Sequence, residues 1–286
     1  MENIKILGFA DPLSSWSHLG GLILSVVGGV MMVYKGRGNA GRVTSLVIFT
    51  ITLIFLFSMS FVYHLLDRDT LARAVLQRLD HAGIWLLIAG TFTPLHVILF
   101  RGTYRVGMLA FVWTVAITGL VLEVVFFENF PEWLALSFFL GLGWTGIFSM
   151  IRFNNSFRDP SVKLMIAGAL AYSIGAVLDF VRWPILIPGI LGPHEIFHIF
   201  VLFGAGFHSL FIYHWADHPV HNRIIFHVRI FPDGKAQAEA TSERLEVNAD
   251  NLAELKERIK ADVRQKYHES IQPEIHLKYS QEEIIV

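Results

Sequence analysis

Residues 192–200 read GPHEIFHIF and contain His194-Glu195-Ile196-Phe197-His198, an H-E-x-x-H string. On a helix, histidines at i and i+4 share one face and can hold one cation, and in soluble zinc proteases the glutamate between them is the general base. Ser60 and His64 have the same spacing, so they too share a helical face. Two imidazoles from one segment and one from another would give three nitrogen ligands. A fourth position would stay open for water, as in a catalytic zinc site. Asp80 would then hold that water and act as general base, while Ser60 would orient a ligand or bind an oxyanion. The same side chains also suit interhelical hydrogen bonds, and an H-E-x-x-H match alone is weakly specific.

The segments that must position these residues are unusually apolar. The 286-residue chain is 53% hydrophobic and 16% charged, against about 25% charged in soluble domains. Ten of the 23 Lys and Arg and 12 of the 24 Asp and Glu fall in residues 222–286. The first 221 residues are correspondingly poor in charge, and their apolar runs suit a bilayer. Seven spans are expected, near 16–34, 43–66, 80–100, 106–127, 132–151, 164–181 and 193–214. Each approaches the roughly 20 residues that cross a hydrocarbon core. The connections KGRGNAGR, RGTYR, ENFP, RFNNSFRDPSVK and RWPILIPGILGP carry turn residues, and DRDTLARAVLQRL suggests a short interfacial helix. The N-terminus lacks a basic stretch and a short apolar core, so the first run reads as a retained span. Cysteine is absent, which excludes disulfides and thiolate zinc sites, and a net charge of −1 points to no nucleic acid.

Alternating span direction places His18, Ser60, His64, Asp80, His81, Glu123, Asp179, His194, Glu195 and His198 near one membrane face. Ionisable groups inside a span cost about 2.5–3.5 kcal/mol each on insertion scales and mark functional sites by default. His18, Glu123 and Asp179 are read as structural polar contacts. His96, His208 and His214 fall near the other face. Lys5, Arg68, Arg73, Arg78 and Arg182 flank the first face, and Lys35, Arg37, Arg42, Arg101, Arg105, Arg152, Arg158 and Lys163 flank the second. The positive-inside rule therefore favours an external N-terminus.

Residues 222–286 form a separate unit, a small soluble α+β appendage. RIIFHVRIF followed by PDGK reads as strand and turn, and EIHLKY as a closing strand. In NLAELKERIKADVRQKY, Asn251 and Glu254 have capping-box spacing and Leu252, Leu255, Ile259 and Val263 share one face. The fold class expected is an all-α membrane protein, a seven-helix transmembrane bundle over residues 1–221 with that appendage.

The segments FSMSFVYHLL, LDHAGIWLLIAGTFTPL and PGILGPHEIFHIFVLFGAGFH, with SHLGG before them, resemble the hemolysin III group of the progestin and adipoQ receptor family over residues 11–215. Its wider superfamily includes alkaline ceramidases. The resemblance implies zinc (Zn2+) on His64, His194 and His198, a water-binding acid at Asp80 and an accessory serine at Ser60, with no departure at these five positions. Its adiponectin-receptor branch implies a cytosolic N-terminus, opposite to the charge rule. An intramembrane protease would carry H-E-x-x-H in an early span with a later intramembrane Asp-Gly. Here the only Asp-Gly is in FPDGK, in the charged tail. The expected function is a zinc-dependent hydrolase of lipid amides or esters, ceramidase-like, or a regulator of membrane lipids. Its partners would be membrane lipids. The alternative is a non-enzymatic sensor or pore with a structural zinc, although spans 1, 2 and 5 are apolar through their middles and argue against a wide channel.

Overall fold

Seven apolar stretches become helices because backbone groups in hydrocarbon can be satisfied only within the segment. The computed structural model describes residues 9–68, 70–218, 223–241, 245–267 and 272–279. Helices α1 (Pro12–Lys35), α2 (Ala40–Leu65), α3 (Leu71–Leu99) and α4 (Gly102–Val125) are followed by α5 (Glu132–Trp144) and α6 (Gly146–Phe157). Then come α7 (Val162–Phe180) and α8 (Pro193–Trp215). Counting α5 and α6 as one span, seven segments among the described residues are long and apolar enough to cross a membrane.

Two expectations need correction. The stretch from Leu71 is not a separate interfacial helix, because it runs without a break into the third span as the 29-residue α3. At 1.5 Å per residue that helix is about 44 Å long, so its first turns rise beyond a ~30 Å core. The fifth span is two helices, broken at Thr145, whose hydroxyl donates to the Leu142 carbonyl at 2.6 Å. Glycines 141, 143 and 146 surround that break, where helix propensity is weakest.

The core lies where α2 packs on α1 and α3, and α7 on α8, around Leu46, Phe49, Leu53, Phe57, Phe153 and Phe211. The last turn of α8 is held at the face opposite His64. Lys35 Nζ donates to the Tyr213 and His214 carbonyls at 2.8 and 2.9 Å. The buried Arg42 guanidinium donates to the Asp217 and His218 carbonyls at 3.0 Å each. Cations at a helix C-terminus satisfy its free carbonyls and oppose its dipole, so these contacts lock α8 against α1 and α2.

Beyond the bundle, β1 (Arg223–Ile230), β2 (Ala236–Ala240), β3 (Glu246–Ala249) and β4 (Glu274–Tyr279) form one sheet in the order β3-β2-β1-β4. β4 runs parallel to β1, and the other pairs are antiparallel. Helix α9 (Leu252–Lys266) buries Leu255, Ile259 and Val263 against it. The Asn251 side chain caps α9 by accepting from the Glu254 N–H at 2.9 Å.

Candidate metal centre

The last turn of α2 carries His64, and the first turns of α8 carry His194 and His198. The bundle brings the three side chains together, each offering a nitrogen within 4.8 Å of the others. His194 Nε2 lies 3.2 Å from His64 Nε2 and 3.1 Å from His198 Nε2. Two nitrogens bound tetrahedrally to zinc at ~2.0–2.1 Å would be about 3.3 Å apart. These separations match.

What lies behind the rings decides their chemistry. His64 Nδ1 is 3.2 Å from Asp11 Oδ2, and His194 Nδ1 is 3.4 Å from Asp179 Oδ2. An ionised carboxylate only accepts, so each Nδ1 carries its proton and each Nε2 presents a lone pair. Two lone pairs facing across 3.2 Å call for a cation between them. A carboxylate behind a metal-bound histidine is the usual supporting arrangement. The donor set therefore fits a zinc ion.

Asp11 was not anticipated from the sequence. It precedes α1, is 4% exposed, and also accepts from Arg68 at 2.9 Å and from Arg73. Its backbone N–H donates to the His64 carbonyl at 3.1 Å, which ties the chain entry to the end of α2. Burial alone would raise the Asp11 pKa. The bonds from His64, Arg73 and Arg68 outweigh it and hold the carboxyl well below the usual carboxylate range. Asp179, read from sequence as a structural contact, instead stands behind His194 and also accepts from Arg182 at 3.2 Å.

Ser60 and Asp80 line the same cavity as His194 and His198, a space of about 450 Å³ that the His64 ring borders only through its contacts with those two. Ser60 is buried, one turn before His64, while Asp80 is half-buried on α3. His18 also lines this cavity, its ring stacked on His198 with centroids 3.9 Å apart. Glu195 does not line it. Its carboxylate turns back to accept from the Gly192 N–H at 2.9 Å, capping α8. The glutamate of the H-E-x-x-H string thus starts a helix and is not a protease base.

A second, larger cavity of about 680 Å³ lies against the first. Leu56, Ile84, Phe139, Ala176, Phe197 and Val201 line both, so the polar chamber and the apolar one are neighbours along shared walls.

Seven apolar spans with a buried histidine cluster define a multi-pass integral membrane protein. Residues 9–209 match the family model described as Haemolysin-III related, and the chain belongs to that family. It is 29% identical over 191 residues to Hemolysin-3 of Bacillus cereus, covering 66% of this chain and 84% of the relative. A Hemolysin-3 homolog of Bacillus subtilis is also 29% identical over 191 residues, covering 66% of this chain and 86% of the relative. An adiponectin receptor protein of Drosophila melanogaster is 28% identical over 232 residues, covering 74% of this chain and 51% of the relative.

Proposed function

We propose that the protein is a zinc-dependent membrane hydrolase that cleaves a lipid amide or ester. The observation that carries this reading is the meeting of two imidazole lone pairs, those of His64 and His194, at the edge of a cavity that shares its walls with a large apolar one. His64, His194 and His198 would hold the ion. Zinc held by them would lower the pKa of water to about 7 and polarise a scissile carbonyl.

The chain's own residues account for the rest. The apolar chamber takes the acyl chain, which removes its methylenes from competing contacts and leaves the carbonyl in the polar chamber. Asp80 takes the proton of the attacking water and returns it to the departing nitrogen or oxygen. Ser60, on the His64 face, donates its hydroxyl to the oxygen that gains charge as the carbonyl is attacked. Asp11 and Asp179 keep the Nδ1 protons in place, so His64 and His194 remain lone-pair donors at Nε2. A structural zinc ordinarily has four protein ligands. Three histidines beside a cavity, with no fourth His, Cys, Asp or Glu grouped with them among the described residues, favour the open, catalytic arrangement.

Metal analysis of detergent-purified protein, with lipid-amide hydrolysis followed alongside, tests this. One zinc per chain is expected for the wild type and none for the His64→Ala, His194→Ala double variant, which also loses turnover. A folded, unchelated wild type without metal would rule the hydrolase out.

A further inference from the structure

The wall of the polar chamber carries a second built polar group away from the three histidines. Glu123, near the end of α4, is 3% exposed and has both oxygens engaged. Oε1 is 2.8 Å from His81 Nδ1, and Oε2 accepts from Trp85 Nε1–H at 2.6 Å. Trp85 is fully buried and can only donate. Glu123 therefore fixes the His81 ring and commits its Nδ1. The remaining nitrogen, Nε2, makes no hydrogen bond among the described residues, although His81 lines the chamber and its side chain is 39% exposed. A carboxylate buried in a span is costly, and a purely apolar headgroup would not need a ring held this way.

We propose that His81, oriented by Glu123, is the headgroup-reading residue of the chamber and selects lipids bearing a free hydroxyl beside the scissile amide or ester. This rests on the lipid-hydrolase reading and adds a specificity determinant to it. With Nδ1–H donated to Glu123, the neutral ring offers an acceptor at Nε2, which a hydroxyl fills by donating. A methyl ether at the same place has no proton to give, and once bound it covers Nε2 and leaves it unpaired. Sites that hydrogen-bond a ligand group reject analogues lacking it, because their own polar atom is then stranded.

The test compares binding of N-oleoylethanolamine and its O-methyl ether to the zinc-loaded, full-length protein at pH 8, with hydrolysis of both measured separately. Wild type should bind the alcohol about 10-fold more tightly than the ether, the size expected for one hydrogen bond. In His81→Phe the ratio should fall to about 1 with metal content unchanged. Glu123→Gln should do the same by another route. Trp85 still needs the amide oxygen, so the amide NH2 faces Nδ1 and moves the ring proton to Nε2, which then donates equally to hydroxyl and ether oxygen. A structural role for the pair would weaken both probes alike and leave the ratio standing. An unchanged ratio in either folded variant, equal wild-type binding of the two probes, or no binding of either overturns the proposal. A ratio that depends on His81 without hydrolysis of either probe upholds the subsite and overturns the hydrolase alone.

Discussion

Asp11 shows what the residue scale adds to a ligand list. It joins the His64 ring, two arginines and the end of α2 in one buried contact. Asp11→Ala is expected to lower metal affinity roughly 10–100-fold, the usual effect of removing a carboxylate behind a ligating histidine. Asp179→Ala should cost less, since Asp179 is 20% exposed, lies 3.4 Å from its histidine and is shared with Arg182. Titration against a competing chelator ranks the two, and a larger loss from Asp179→Ala would refute the assignment. The three histidines were legible in the sequence because i, i+4 spacing on apolar segments is a local signal. Asp11 was not, because its partner His64 is 53 residues away and an aspartate before an apolar run reads as a helix cap. Glu195 misleads in the opposite sense: the motif suggests a base, and the folded chain uses it to cap α8.

At the scale of elements, the site depends on how closely α2 and α3 approach, since one carries His64 and the other Asp80 and His81. Gly90 of α3 makes that approach possible. A Cβ placed there would lie 2.1 Å from the Thr52 hydroxyl of α2. Small residues at such seams let helix backbones meet in a membrane. Gly90→Leu should therefore push the helices apart, destabilise the bundle by about 1–3 kcal/mol and lower metal content with it. Thermal unfolding with parallel metal analysis checks this, and an unchanged midpoint would show that the seam is looser than the packing indicates. The spans themselves were readable because about 20 apolar residues announce a crossing. Their true ends were harder to read. Charged residues close the apolar window before Asp80, yet LARAVLQRL contains no proline or glycine to stop the backbone ladder, and α3 continues through it. In the appendage, AQAEA carries a weak strand signal because alanine has little β preference. Its alternating burial as β2 is imposed by pairing with β1 and β3.

For the whole molecule, the property absent from any single segment is the placing of two chambers side by side. Their shared wall takes residues from α2, α3, α5, α7 and α8. Hydropathy orders those helices along the chain but does not say which apolar faces leave space between them. Because His194 and His198 line the polar chamber and none of the three candidate ligands lines the apolar one, the two roles can be separated experimentally at the shared wall. Ala176 of α7 lines both chambers and is not a neighbour in sequence of any ligand. Ala176→Trp places an indole at the shared wall while leaving the ligands His64, His194 and His198 in place. Metal content should stay at the wild-type level, whereas binding of a long-chain lipid amide should fall by more than about 10-fold, since several methylenes lose burial worth ~0.8 kcal/mol each. A short-chain amide that needs only the polar chamber should be affected far less. Equal losses for both chain lengths would mean that the acyl chain takes another path, and the apolar chamber would lose its role as the substrate's tail site.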